Sequence, residues 1–184
     1  KMGDRPDELL TISQLPSEVS MIVQVLGGGS ITGDQLVSAQ LPIALAQMAV
    51  NYPNAVAAIT AASGHSQPAP NQISDLNKAV EGDISGDLLA GYGNGSSNTV
   101  YRLREGIERF LITDINNPGA GAQAQSSIFI MLDQLGAGGT TVFFNHIPGG
   151  CNVLYLDGHV EFIRYPTKQP INQGVANIMA LFEA

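Results

Sequence analysis

Apolar residues recur at helical spacing through the first half of the chain and at two-residue spacing near its end. Pro16-Ser17-Glu18 opens the first helical run, in which Val19, Ile22, Val23 and Leu26 share a face, and Gly27-Gly28-Gly29 stops it. Without the Lys and Ser/Thr of a phosphate loop, the glycine triplet reads as a helix stop. Residues 1–15 read as polar and irregular around Leu9, Leu10 and Ile12. Thr32-Gly33-Asp34 starts a second helical stretch, with Leu36, Val37, Leu41, Ile43, Leu45 and Met48 as its apolar positions. Pro42 either kinks this stretch or begins a new helix at its first position. Pro53 starts another, with Ala55, Val56, Ile59 and Ala62 along it. Residues 43–62 are Ala-rich and almost without charge, so 34–62 reads as core helix or as an interface surface that neighbouring subunits cover. Ser63 to Gln72, with Gly64, His65, Pro68 and Pro70, reads as a loop, and Ser74-Asp75 caps a short helix to Val80.

Glu81 to Thr99 is rich in Gly, Ser, Asp and Asn, which predicts a boundary or an exposed loop. Val100 to Ile112 fits more than one element: a helix is favoured over 103–111, where Arg104–Glu108 and Glu105–Arg109 stand at i,i+4, and Val100 to Leu103 could also be a strand entering it. Thr113 to Gln125 reads as a small-residue loop turning at Asn116-Asn117-Pro118-Gly119. Ser127 to Leu132 reads as a buried strand, Leu135 to Gly139 as a glycine-rich connection, and Thr140 to Asn145 as a further strand.

A hairpin over about 151–165 follows. Asp157-Gly158 between two β-rich runs suits a type I′ turn, which needs positive φ at both central residues. Folding about it sets Leu156 opposite His159, Tyr155 opposite Val160, Leu154 opposite Glu161 and Val153 opposite Phe162. Alternation then puts Val153, Tyr155, Val160 and Phe162 on one purely apolar face, the expected core face. Pro166 ends the second strand. Asn172 caps a closing helix through Val175, Ile178, Met179 and Phe182. Helices first, then a small antiparallel sheet, then a closing helix predict an α+β fold. At 184 residues the expectation is one domain over 1–184, with a helical part at 1–82 and an α+β part at 100–184.

Only 13% of residues are charged, against a usual share of roughly 25%, which suits a protein that packs against copies of itself or works outside the cell. The net charge is −8 and no Lys/Arg cluster is present, which argues against nucleic-acid binding. Arg102, Arg104 and Arg109 are interleaved with Glu105 and Glu108 and read as local ion pairs. The single cysteine, Cys151, excludes an intrachain disulfide framework and a multi-Cys zinc site; on a strand it reads as a small buried hydrophobe. No apolar run reaches the roughly 20 residues of a membrane-spanning helix.

The C-terminal half carries a resemblance. His146, Gly149-Gly150, Asn152-Val153-Leu154-Tyr155, Asp157-Gly158-His159-Val160 and Phe162 resemble the signature of the prepilin-type proteins with a processing-associated His…Asp-Gly domain, a group typical of planctomycete-like bacteria. A second block, Tyr101 to Phe110 followed by Thr113-Asp114-Ile115-Asn116-Asn117-Pro118, is also similar. The spacing Ile147 to Leu156 is one residue longer than the family's, so the register before the strand is expected to differ. The resemblance implies the globular head of a pilin-like protein that partners itself in an extracellular or cell-surface filament. It further implies a charged leader, a cleavage site and a long apolar N-terminal helix. None of these is in the sequence, so either this is the globular part alone, a leader or more having preceded Lys1, or the subunit assembles in another way. A pseudopilin-like component of a secretion system or a surface binding module is the alternative, and a secreted hydrolase a remoter one.

The residues support no catalytic, cofactor or metal site. His146, Asp157 and His159 are the most suggestive group for a metal. On a regular hairpin, however, the two histidines stand at opposite ends, roughly 15 Å apart, and Asp157 is explained by the turn. His146, next to Pro148-Gly149-Gly150, is expected to bond the loop backbone. A Cys151–His146 nucleophile pair fails on strand burial. No Gly-x-Ser-x-Gly elbow is present. Asp114 with Asp133 could form a carboxylate pair, but nothing supports it. Asp83 and Asp87 lack the spacing of a calcium loop and read as solvated. Asn94-Gly95-Ser96 matches a glycosylation sequon, a common tripeptide.

Overall fold

The computed structural model describes residues 8–26, 32–63, 65–107, 125–135, 144, 146 and 149–179. In chain order these form β1 (Leu9–Thr11), α1 (Ser17–Leu26), β2 (Leu36–Ser38), α2 (Gln40–Asn51), α3 (Pro53–Ser63), α4 (Pro70–Glu81), β3 (Ile84–Ser85), β4 (Thr99–Val100), β5 (Phe129–Leu132), β6 (Gly150–Tyr155), β7 (Val160–Arg164) and α5 (Gln173–Met179). The described residues are α+β, with five helices and three small antiparallel sheets, β1-β2, β3-β4 and β5-β6-β7.

Helices α1 and α3 begin where Pro16-Ser17-Glu18 and Pro53 predict. Leu36 and Val37 do not join the helix expected after Asp34. They form β2, which pairs with β1 in the register Leu9↔Ser38, Leu10↔Val37 and Thr11↔Leu36. Strands of three residues are too short for alternation to be visible in sequence. Helix α2 starts at Gln40, so Pro42 falls in its first turn, where a missing N–H costs no helical bond. Helix α4 starts at Pro70 rather than Ser74, and Gln72 Oε1 accepts the Ala69 N–H at 2.8 Å just ahead of it. Asn54 of α3 donates to Asp75 of α4 (2.9 Å). Of the two alternatives for the Ala-rich stretch, the chain's own core takes the inward side: Ile43, Ala46 and Ala55 pack with Ile12, Val19 and Val23.

Residues 81–99 are not simply an exposed loop. Ile84, Leu89 and Val100 belong to the same core as α1 and α2. Three amide side chains on α2 hold this segment. Gln40 Nε2 donates to Tyr92 O (3.0 Å), Gln47 Oε1 accepts from Leu88 N (3.1 Å), and Asn51 Nδ2 donates to Ser85 O (3.0 Å). Spacings of seven and four place all three on one helical face. A Gly/Ser/Asn composition reads as solvated, but here a neighbouring helix satisfies the backbone groups in place of water.

In the C-terminal half, β5 lies where Ser127 to Leu132 predicts a strand, but it is not buried throughout: Met131 is 65% exposed. The hairpin forms with its register one residue away from the type I′ expectation. Leu154 pairs with Val160, Val153 with Glu161, Asn152 with Phe162 and Cys151 with Ile163. Tyr155 N bonds His159 O (3.0 Å) and Gly158 N bonds Tyr155 O (2.9 Å), leaving the three-residue loop Leu156-Asp157-Gly158, with φ +89° at Gly158 alone among them. A three-residue loop closed by a left-handed glycine competes with the two-residue turn for the same Asp-Gly. A one-residue slip turns every side chain of the second strand over. Strand β6 keeps Cys151, Val153 and Tyr155 inward, but β7 turns Ile163 inward, with Val160 (61% exposed) and Phe162 (50%) outward.

Helix α5 starts as predicted, with Asn172 Oδ1 accepting Val175 N (2.9 Å). It lies on β2, where Asn177 Nδ2 donates to Leu36 O (2.7 Å). Val175 and Ala176 join Cys151, Val153, Tyr155 and Ile163 in a second core, and Leu41 of α2 packs against both cores. Tyr101–Arg104 have no regular structure and 105–107 turn, in place of the start of the helix expected at 103. Arg104 faces Asp83 (3.7 Å). The remainder of that helix with Glu108 and Arg109, the loop through 124, the Gly27-Gly28-Gly29 stop, most of the 140–145 strand and Phe182 lie outside the described residues.

Candidate functional site

Asp133 follows β5, Asn152 lies within β6, and His146 forms an isolated antiparallel bridge with Gly150. The pairing of β5 with β6 brings the three side chains together. Asp133 Oδ2 accepts from Asn152 N (2.9 Å), from Asn152 Nδ2 (2.9 Å) and from His146 Nε2 (3.1 Å). His146 Nε2 also lies 2.9 Å from Asn152 Nδ2. A carboxylate at this distance favours the tautomer with its proton on Nε2, which leaves Nδ1 as the acceptor nitrogen. The Asn152 backbone N–H, opposed by partial burial and helped by the Asn152 side chain and His146, holds the Asp133 carboxyl below the usual range. Among the described residues the His146 side chain therefore bonds Asp133, where a bond to the loop backbone is expected, and its backbone bridges Gly150. Asp133 finds Asn152 and His146; Asp114, weighed as its partner, lies outside the described residues.

The other histidine belongs to a separate cluster. His159 Nδ1 is 2.5 Å from Asp157 Oδ1, which also accepts the His159 backbone N–H (3.1 Å). The His159 ring stacks on Tyr155, with centroids 4.4 Å apart and planes 7° from parallel. The His159 backbone N–H is the main reason that the Asp157 carboxyl lies below its ordinary range. His146 and His159 thus serve opposite ends of the hairpin, with different partners. Among the described residues, no three His, Cys, Asp or Glu side chains gather in a way that could hold a metal ion.

Cys151 is fully buried, and burial, with the Asp133 charge second, pushes its thiol up to about 11. Its Sγ lies 3.4 Å from Gln134 O. A thiol held so far above neutrality is a poor nucleophile. Asp83 is engaged rather than solvated, accepting Arg102 N at 2.9 Å. Asn94 of the sequon is 1% exposed and its Oδ1 accepts Tyr101 N (2.8 Å), so the folded chain offers it no glycan.

Two surface features adjoin the Asp133 cluster. One is the outward face of the β5-β6-β7 sheet, where Met131, Leu154, Val160 and Phe162 stand together and the His146 ring meets Phe162 edge-on (5.7 Å, 89°). The other is an open, mainly apolar groove of about 450 Å³ along residues 129–135 and Met179. The outward face escaped the sequence reading because the wrong turn type put Val160 and Phe162 in the core. No spacing rule links Asp133, His146 and Asn152, which only strand pairing joins. Among the described residues, no helix is long and apolar enough to cross a membrane. Comparison with family models, with curated proteins and with solved structures gives no match to this chain.

Proposed function

We propose that the chain is a structural subunit of an extracellular, pilin-like filament that assembles by repeated contacts between copies. The observation that carries this reading is the outward face of β5-β6-β7, where Met131, Val160 and Phe162 are each at least half exposed. Contiguous apolar surface of this kind marks interaction sites. A charged share of only 13% and the resemblance of the hairpin residues to prepilin-type proteins support the same reading. It includes no catalytic role: Asp133 gathers three donors on one oxygen, His159 is held by Asp157, and the Cys151 thiol is buried. The groove along β5 favours a second reading, a pseudopilin-like secretion component or surface binding module that holds an apolar segment. Negative-stain microscopy of the concentrated protein separates the two. Long filaments are expected, and discrete monodisperse particles at high concentration would overturn the filament.

A further inference from the structure

We infer that the outward face of β5-β6-β7 is self-complementary and pairs with the same face of a second copy about a two-fold axis parallel to β6. This rests on the filament reading's premise of self-association and names one surface that copies share; a two-fold contact closes on itself, so a filament is then built from such pairs through a second contact elsewhere on the chain.

The strand register arranges the face in rows. Met131, Leu154 and Val160 form one apolar row across the three strands. Asp133, Asn152 and Phe162 form the next, since Asp133 N bonds Asn152 O and Asn152 pairs with Phe162. On β7, Arg164 stands one row further, opposite Gly150 of β6. Side chains at 160, 162 and 164 point outward because they alternate with the inward Ile163.

The two margins carry opposite charges. Arg164 is exposed and makes no ion pair among the described residues. On the other margin Asp133 takes all its hydrogen bonds on Oδ2, leaving Oδ1 without a partner there. Glu161 alternates to the inward side and pairs with Lys168. The centre between the margins is uncharged.

A two-fold axis along β6, midway between facing sheets, lays β7 of one copy over β5 of the other and keeps the level along the strand. Sheets stacked about 10 Å apart then place Val160 over Met131 and Leu154 over its own counterpart. Arg164 stands two residues, about 7 Å, along the strand from the second copy's Asp133, within reach of an extended guanidinium. The symmetry forms this ion pair twice. Elsewhere copies of a chain with net charge −8 repel each other, whereas this face sums to neutral and matches itself in sign.

The test is molecular mass against concentration, by sedimentation equilibrium, for the wild type, Val160→Asp and Arg164→Glu. Thermal melts of all three check that these exposed positions leave the fold intact. The wild type should associate, and both variants should weaken the association at least about tenfold. Leu154→Cys should be joined to itself by a short bismaleimide, because only a two-fold contact sets position 154 against its own counterpart. A wild type that associates, with both variants unaffected, overturns the inference and leaves the filament reading intact. Failure of Leu154→Cys to cross-link in associating protein overturns the two-fold. A wild type that stays monomeric at every concentration overturns both and gives the face to a different partner.

Discussion

Gly174 of α5 lies so close to Ser38 of β2 that a Cβ on it would stand 2.9 Å from the Ser38 backbone nitrogen. The same Cβ would meet Val37 C at 3.0 Å and Leu9 Cδ2 at 2.4 Å. The leucine tip can rotate away, but the two backbone atoms are held in the β1-β2 ladder. Alanine in a helix gains about 1 kcal/mol over glycine, while overpacking against fixed neighbours costs about 1–3 kcal/mol. Gly174→Ala should therefore be destabilising by about 1–2 kcal/mol, read as a lower urea midpoint. A raised midpoint would mean that α5 does not seat on β2 this closely.

Asp133→Ala removes the acceptor shared by the Asn152 N–H, the Asn152 amide and His146. Partial solvent access moderates the loss, which should be about 1–2 kcal/mol at pH 7. The folded state holds this carboxyl below its unfolded value near 3.9, so the unfolded state binds more protons as pH falls. The stabilisation is then fully present above about pH 4–5 and disappears as pH drops through the folded value. Urea midpoints of wild type and variant should converge as pH falls below about 4. A gap that stays constant with pH would show that the carboxylate charge has no part in it.

Gln47 is nearly buried on α2 and accepts the Leu88 N–H. Gln47→Leu keeps the size of the side chain but leaves that donor without a partner, at a cost of about 1–3 kcal/mol. Hydrogen exchange at Leu88 should accelerate more than at the α1 amides. Uniform acceleration would mean that the 84–93 segment does not depend on α2 for its backbone bonds.

The Cys151 thiol, pushed up to about 11, holds only about one thiolate in a thousand at pH 8 and is buried. A thiol-reactive dye should leave it unmodified in the native protein and label it fully in denaturant. Rapid native labelling would contradict the packing of β6 against the second core.

Local signals in the sequence proved legible wherever one short stretch decides the outcome. Pro16-Ser17-Glu18, Pro53 and Asn172 each set a helix start through the chemistry of a few adjacent residues. Signals that depend on a distant partner were not legible. Leu9–Thr11 and Leu36–Ser38 are strands only because they pair with each other. Residues 81–99 are ordered because Gln40, Gln47 and Asn51 lie on the facing helix.

By itself the sequence determined the α+β class, three helix starts, a hairpin turning at Asp157-Gly158 and the separation of its two histidines. Tertiary structure decided the register of that hairpin. Asp-Gly supports both a two-residue and a three-residue loop, and the choice between them is made by which β7 side chains the second core accepts. Ile163 fills the place beside Cys151 and Val153, which turns Val160, Phe162 and Arg164 out to the surface. The same pairing with β5 sets Asp133 against Asn152 and His146. A one-residue step in a ladder of period two reverses a whole face, so core packing across the sheet, rather than any local preference, chose the surface that this protein presents.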